Sequence, residues 1–147
     1  MIKAITLWQP WASAIALGLK KYETRHWATK HRGPLAIHAS SKPMKREYLA
    51  LAERYGMCDV PGGCDALPLG AGIVICNLKD CILMTPKLIA EQPQMELDFG
   101  DWQPGRFAWE LEILNVLTSP LPIRGHQGLW NLGGFEEYNT KQQMELF

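Results

Sequence analysis

A chain of 147 residues, 47% hydrophobic and 20% charged, is long enough for one compact domain with its own core and short for two. That composition excludes a disordered chain, and the strongest apolar run, around Gly72–Leu78, is too short for a membrane-crossing helix. The formal net charge is zero, but residues 1–54 carry ten Lys/Arg against three acids, whereas residues 55–147 carry five against twelve. One positive face suited to a phosphate-bearing partner and an interleaved, self-cancelling surface are both open from this pattern.

In chain order, Ile2–Leu7 reads as a strand. Gln9-Pro10-Trp11 then opens a short helix, with Pro10 near its first turn and Gly18 as its stop. Tyr22–Trp27 alternates as a strand does, and Pro34–Ser40 forms a second such strand, with Leu35 and Ile37 on one face and Ala36 and His38 on the other. Met44–Tyr55 places Met44, Tyr48, Leu51, Ala52 and Tyr55 on one helical stripe. Residues 56–70, rich in Gly, Pro and Asp, form a loop. Ala71–Leu83 is a β-branched apolar run, a buried strand. Thr85-Pro86 caps a short helix to Glu91. Gln92–Gly105 is expected as a polar loop, Arg106–Val116 as an alternating strand, Ser119–Gly128 as a Pro/Gly loop and Leu129–Leu132 as a closing strand. Short strands and helices with no regular βαβ rhythm point to a small mixed β-barrel.

The N-terminus lacks the apolar stretch and cleavage site of a signal peptide, so a cytoplasmic protein is expected. Cys58, Cys64, Cys76 and Cys81 are spaced unlike paired zinc ligands. Small buried thiols, with no disulfide framework and no metal, are the expectation in that compartment.

The chemistry concentrates in Gly18-Leu19-Lys20-Lys21-Tyr22-Glu23-Thr24-Arg25. On the strand after the turn, Glu23 and Arg25 share a face because side chains alternate, and Lys20 can reach the same space. Arg supplies a forked donor for phosphate or carbonyl oxygens, and Lys supplies a movable charge. Glu accepts from an amino group or activates water. A solvated surface ion-pair cluster is the plainer alternative for the same spacing.

These residues occur in a wider pattern. Leu7-Trp8-Gln9-Pro10-Trp11-Ala12, then Gly18, Lys20, Glu23 and Arg25 as G-x-K-x-x-E-x-R, then Arg32–Ser40, Gly105–Leu111 and Gly128-Leu129-Trp130 together resemble an ASCH domain, in the family's order. The resemblance implies a PUA-like α+β fold. Such a fold is a mixed barrel of five to six strands flanked by two to four short helices, here over residues 1–135, with 136–147 as a C-terminal tail. It also implies a cleft for RNA, single-stranded nucleic acid or a modified nucleotide, without a cofactor. One branch of the family comprises amidohydrolases of N4-acetylcytidine that use a Lys, a Thr and a Glu. Lys20 falls on the catalytic Lys, but Glu23 stands where those enzymes carry the nucleophilic Thr, and a carboxylate replaces a hydroxyl nucleophile poorly. Glu91 and Glu96 are available for the third position. Other members are ribonucleases, where a Lys/Glu pair can serve as acid and base.

Lys20 and Glu23 are thus the candidate catalytic pair, and Arg25, Trp8, Gln9 and His38 the candidate ligand contacts. Trp8 offers a stacking face, whereas Trp109 belongs to the core by its alternation with Phe107 and Leu111. Lys42, Lys45, Arg46 and Arg54 are either phosphate contacts or a solvated helix face. Gln143-Met144-Glu145-Leu146-Phe147 looks like the peptide by which bacterial DNA-processing proteins dock on the sliding clamp, and Gln94–Phe99 has a similar look. A terminal helix packed on its own barrel is the alternative for the tail.

Overall fold

The computed structural model describes residues 2–133. They form strands β1 (Ile2–Leu7), β2 (Tyr22–Arg25), β3 (Gly33–Ala39), β4 (Ala71–Leu83), β5 (Phe107–Pro122) and β6 (Leu129–Leu132). Short helices are α1 (Trp11–Ala16), α2 (Leu49–Arg54), α3 (Pro86–Ala90) and α4 (Gln94–Asp98), with 3-10 turns at Arg46–Tyr48 and Gly63–Ala66. The strands build one mixed sheet in the order β2-β5-β4-β3-β1-β6. The β1–β3 pair is parallel and the other neighbours are antiparallel. With β2 and β6 at its two edges the sheet is not closed.

Both faces of the sheet are covered, which is why its central strands are apolar at successive positions rather than alternately. On one face Ile5, Leu7, Leu35, Ile37, Val74, Cys76, Leu78 and Trp109 pack under Ala12 and Ile15 of α1. On the other, Ala4, Ala36, Ile75, Leu117, Trp130 and Leu132 form a second core. A third cluster joins the back of α1 (Ala14) to Ala52 of α2, Met57 and Phe99.

Local chemistry explains most boundaries. α1 stops at Gly18, whose φ of +77° suits glycine, and the amides of Leu19 and Lys20 both bond to the Ala14 carbonyl. Thr85 Oγ1 accepts from the Leu88 amide at 3.1 Å, with Pro86 in the first turn of α3.

The structure departs from the sequence reading in several places: the helix expected over Met44–Tyr55 is a 3-10 turn at Arg46–Tyr48 followed by α2 at Leu49–Arg54, and β2 ends at Arg25 rather than Trp27. Gln92–Gly105 is not all loop, because α4 runs from Gln94 to Asp98 and buries Glu96, with Phe99 buried just after it. β5 continues to Pro122, six residues past the expected end at Val116, because β4 pairs with it through Ala71↔Pro122. Cys58 and Cys64 are joined by a disulfide, because the 56–70 loop folds back and brings their Cα atoms to 4.4 Å, while Cys76 and Cys81 remain free thiols. Burial pushes the Cys76 thiol up to about 12, which leaves it unreactive. Among the described residues no helix is long and apolar enough to cross a membrane, and no group of three His, Cys, Asp or Glu is placed to hold a metal. The tail peptide Gln143–Phe147 lies outside the described residues.

Candidate functional site

Where α1 hands over to β2, the motif is split between interior and cleft. Lys20 follows the Gly18 turn and runs inward until it is 2% exposed. Its Nζ donates to the Phe99 carbonyl at 2.8 Å and lies 3.7 Å from Glu23 Oε1. Burial lowers the Lys20 pKa, opposed first by Glu23 and then by Glu96.

Glu23 stands on β2 opposite Trp109 of β5. Its Oε1 accepts from the Thr24 amide at 2.9 Å, and its Oε2 lies 3.3 Å from Arg25 Nη2. Alternation puts Glu23 and Arg25 on one face, as expected. Thr24 turns the other way, accepts from the Asp101 amide through Oγ1 at 3.0 Å and packs close to Gly100.

A cleft of about 1270 Å3 opens beside this strand, lined by Glu23 and Arg25 and by Trp8, Trp11, His38 and Lys42. Lys20 is not among its lining residues, so the expected convergence of three heads into one hollow holds for two of them. The lysine sits behind the carboxylate, its ammonium group held by the Phe99 carbonyl.

Trp8 is half-buried on the cleft wall. The Nζ atoms of Lys42 and Lys45 lie 5.4 and 5.2 Å from its ring centroid, close enough for cation–π attraction. Trp11 meets Tyr48 edge-on at 4.5 Å beside it. Gln9 does not join this wall. Its amide donates to Ser13 Oγ at 2.7 Å and to the Pro68 carbonyl at 2.8 Å, and its Oε1 accepts from the Ser13 amide at 3.0 Å. Every polar atom of the Gln9 side chain is thereby engaged, so it braces α1 against the loop before β4 rather than facing a ligand. Trp109 is fully buried, edge-on to Trp27 at 4.9 Å.

His38 lines the cleft yet is 2% exposed. Its Nε2 lies 2.6 Å from the Ile123 carbonyl and its Nδ1 3.1 Å from Thr6 Oγ1. A carbonyl only accepts, so Nε2 carries the proton and Nδ1 accepts from the Thr6 hydroxyl, which in turn accepts from Trp130 Nε1 at 3.1 Å. Burial lowers the His38 pKa, in keeping with that neutral tautomer.

Two further residues, Glu96 and Arg106, lie against the motif. Glu96, one of the two acids available after the long central strand, is buried against the motif. Its Oε1 accepts from the Lys21 amide, and its Oε2 has no hydrogen-bond partner among the described residues. Burial raises its pKa, with the Lys21 amide bond and Lys20 opposing. Glu91 is exposed. Arg106 also lines the cleft, pairs with Asp101 at 3.5 Å and reaches the Thr24 carbonyl.

Residues 5–118 match the ASCH domain family. The chain is 27% identical over 139 residues to mouse Activating signal cointegrator 1, and 29% identical over the same length to the human protein. Each alignment covers 87% of this chain and 22% of the relative, so the chain spans about a fifth of the length of these relatives. In three dimensions it resembles the crystal structure of ASCH from Zymomonas mobilis, with TM-score 0.56 and 16% identity over 98% of this chain and 94% of that one. A tyrosine-to-phenylalanine mutant of that Zymomonas protein superposes with TM-score 0.57 and 16% identity, over 95% of each chain. The fold is therefore the mixed α+β fold of those ASCH structures, and the chain belongs to the ASCH domain family, which is associated with RNA binding.

Proposed function

We propose that the cleft binds single-stranded nucleic acid, with one unpaired base stacked on Trp8. The observation that carries this reading is the Trp8 ring with two lysine ammonium groups near it, on the wall of a cleft that also presents the Glu23–Arg25 pair. The two ammonium groups lie over the Trp8 ring, and a base stacking there would displace them towards its own phosphates. Arg25 would donate to a carbonyl or phosphate oxygen, and Glu23 Oε2 would accept from a base amino group. Lys20 acts through Glu23 in this scheme, as a positioning residue.

Fluorescence anisotropy with a short labelled single-stranded RNA tests the reading, with a duplex of the same sequence as competitor. Saturable binding to the single strand, weakened roughly 5- to 150-fold by Trp8→Ala, is expected. Failure of any single strand or nucleotide to bind, or unchanged affinity in that variant, would overturn it.

The buried lysine beside a cleft carboxylate supports a second reading, hydrolysis of an acylated nucleobase or of RNA with Glu23 as acid–base group. Incubation with N4-acetylcytidine and with short RNAs separates the two. Turnover that Lys20→Ala abolishes supports the enzyme, and binding without turnover supports the module.

A further inference from the structure

We infer that the loop between β5 and β6 carries the phosphate subsite of this cleft, with Arg124 and His126 as its donors and His38 as the residue that positions it. The inference rests on the cleft being a nucleic-acid site, and it concerns residues that the motif does not contain.

All six residues of the connection, Ile123 to Gly128, line the cleft. The loop is held at its root and again at Gly125 and His126. The Ile123 amide donates to the Gly70 carbonyl at 3.1 Å, and the Ile123 carbonyl accepts from His38 Nε2 at 2.6 Å. Gly125 then passes directly over the imidazole. A Cβ there would stand 2.5 Å from Thr6 Oγ1 and 2.6 Å from His38 Cε1, so only glycine lets the backbone approach this closely. His126 packs edge-on against Trp130 at 5.2 Å, and Trp130 packs edge-on against His38 at 5.4 Å. The directional chain from Trp130 through Thr6 to His38 orients the ring that holds the loop.

Arg124 is the cation that this loop adds to the cleft. The cleft's carboxylates each have a partner: Glu23 has Arg25, Asp101 has Arg106, and Asp98 has Tyr55 and Arg54. Arg124 is exposed and has no carboxylate partner among the described residues. A forked guanidinium on a pinned loop, beside an imidazole, is suited to a phosphodiester oxygen pair. The ordering cost falls on the fold, through His38, rather than on binding.

The test uses the full chain and a labelled single-stranded RNA, titrated at several salt concentrations. Arg124→Ala should weaken binding roughly tenfold and make the slope of log K against log salt shallower by about 0.7, with an unchanged melting temperature because the side chain is exposed. His38→Gln, whose amide can still donate to the Ile123 carbonyl, should bind nearly as the parent does. His38→Ala should fall to the level of Arg124→Ala, and Gly125→Ala should do the same by pushing the loop off the ring. An Arg124→Ala variant with the parent's slope, or a folded His38→Ala variant with the parent's affinity, would overturn the subsite while leaving the Trp8 reading intact. A parent protein that binds no single strand would remove both.

Discussion

Glu23 has two duties that the sequence could not separate. Its position on the strand, facing the same way as Arg25, was legible from the period of two. That its other oxygen neighbours a buried ammonium was not, because burial of Lys20 depends on Phe99, 79 positions further along. The consequence is that Glu23→Gln cannot affect binding alone. Removing one partner of a buried pair costs about 3–5 kcal/mol, and the remaining Phe99 carbonyl and Glu96 place this case at the lower end. Adding Lys20→Met should restore most of the stability without restoring RNA affinity. Denaturant melts and binding curves on the two single variants and the double one check this, and recovery of both properties together would contradict the assignment of Glu23 to the cleft.

Glu96 gives a residue-scale prediction with a definite sign. Its folded pKa is raised above the ordinary 4.5, so its contribution to stability is fully present below about 4.5 and is lost as pH rises through the folded value. Glu96→Gln keeps an acceptor for the Lys21 amide and carries no charge at any pH. Relative to the parent, this variant should therefore gain stability as pH increases from about 4.5 towards neutrality. Urea melts of both proteins across that range read the difference, and a difference that is flat with pH would show that the buried carboxyl ionises without cost. Gln9 teaches the complementary lesson. A glutamine between two tryptophans reads as a ligand contact, and only the positions of Ser13 and Pro68 reveal that its amide is fully engaged.

At the scale of elements, the strands were legible wherever a face or a full buried run left a period. β1, β4 and β6 begin and end at the expected residues, whereas α4 was missed because five residues after a proline offer too few turns to show periodicity. Its physical signal is burial rather than pattern: Glu96 and Phe99 face the interior three residues apart. The same burial disposes of Gln94–Phe99 as a docking peptide, since its aromatic anchor is 0% exposed. Phe99 closes the third core cluster and supplies the carbonyl that holds Lys20. Phe99→Ala should cost about 3–5 kcal/mol, and Phe99→Leu distinctly less, because it retains most of the volume. Equal losses in chemical denaturation would mean that the ring contributes something other than packing.

At the scale of the whole molecule, ion pairs among the described residues bear on the two electrostatic readings that composition left open. Segregation is partial. Arg32 pairs with Asp80 and Arg54 with Asp98, so cations of the first third are met by acids of the rest. Glu96 comes to lie beside Lys20 in the same way. Beside the cleft, Lys42, Lys45 and Arg124 are left without a carboxylate partner among the described residues. These alternatives differ in a measurable exponent. Three phosphate contacts to a single strand give a slope near −2, and thus about a 20-fold loss of affinity from about 50 to 200 mM salt. A fully segregated face using the whole excess of seven positive charges would give a slope near −5 and a loss approaching a thousandfold. The observed pairing predicts the shallower dependence, measured by titrating the same RNA across that range. A slope near −5 would mean that the paired cations also release their acids to meet the ligand.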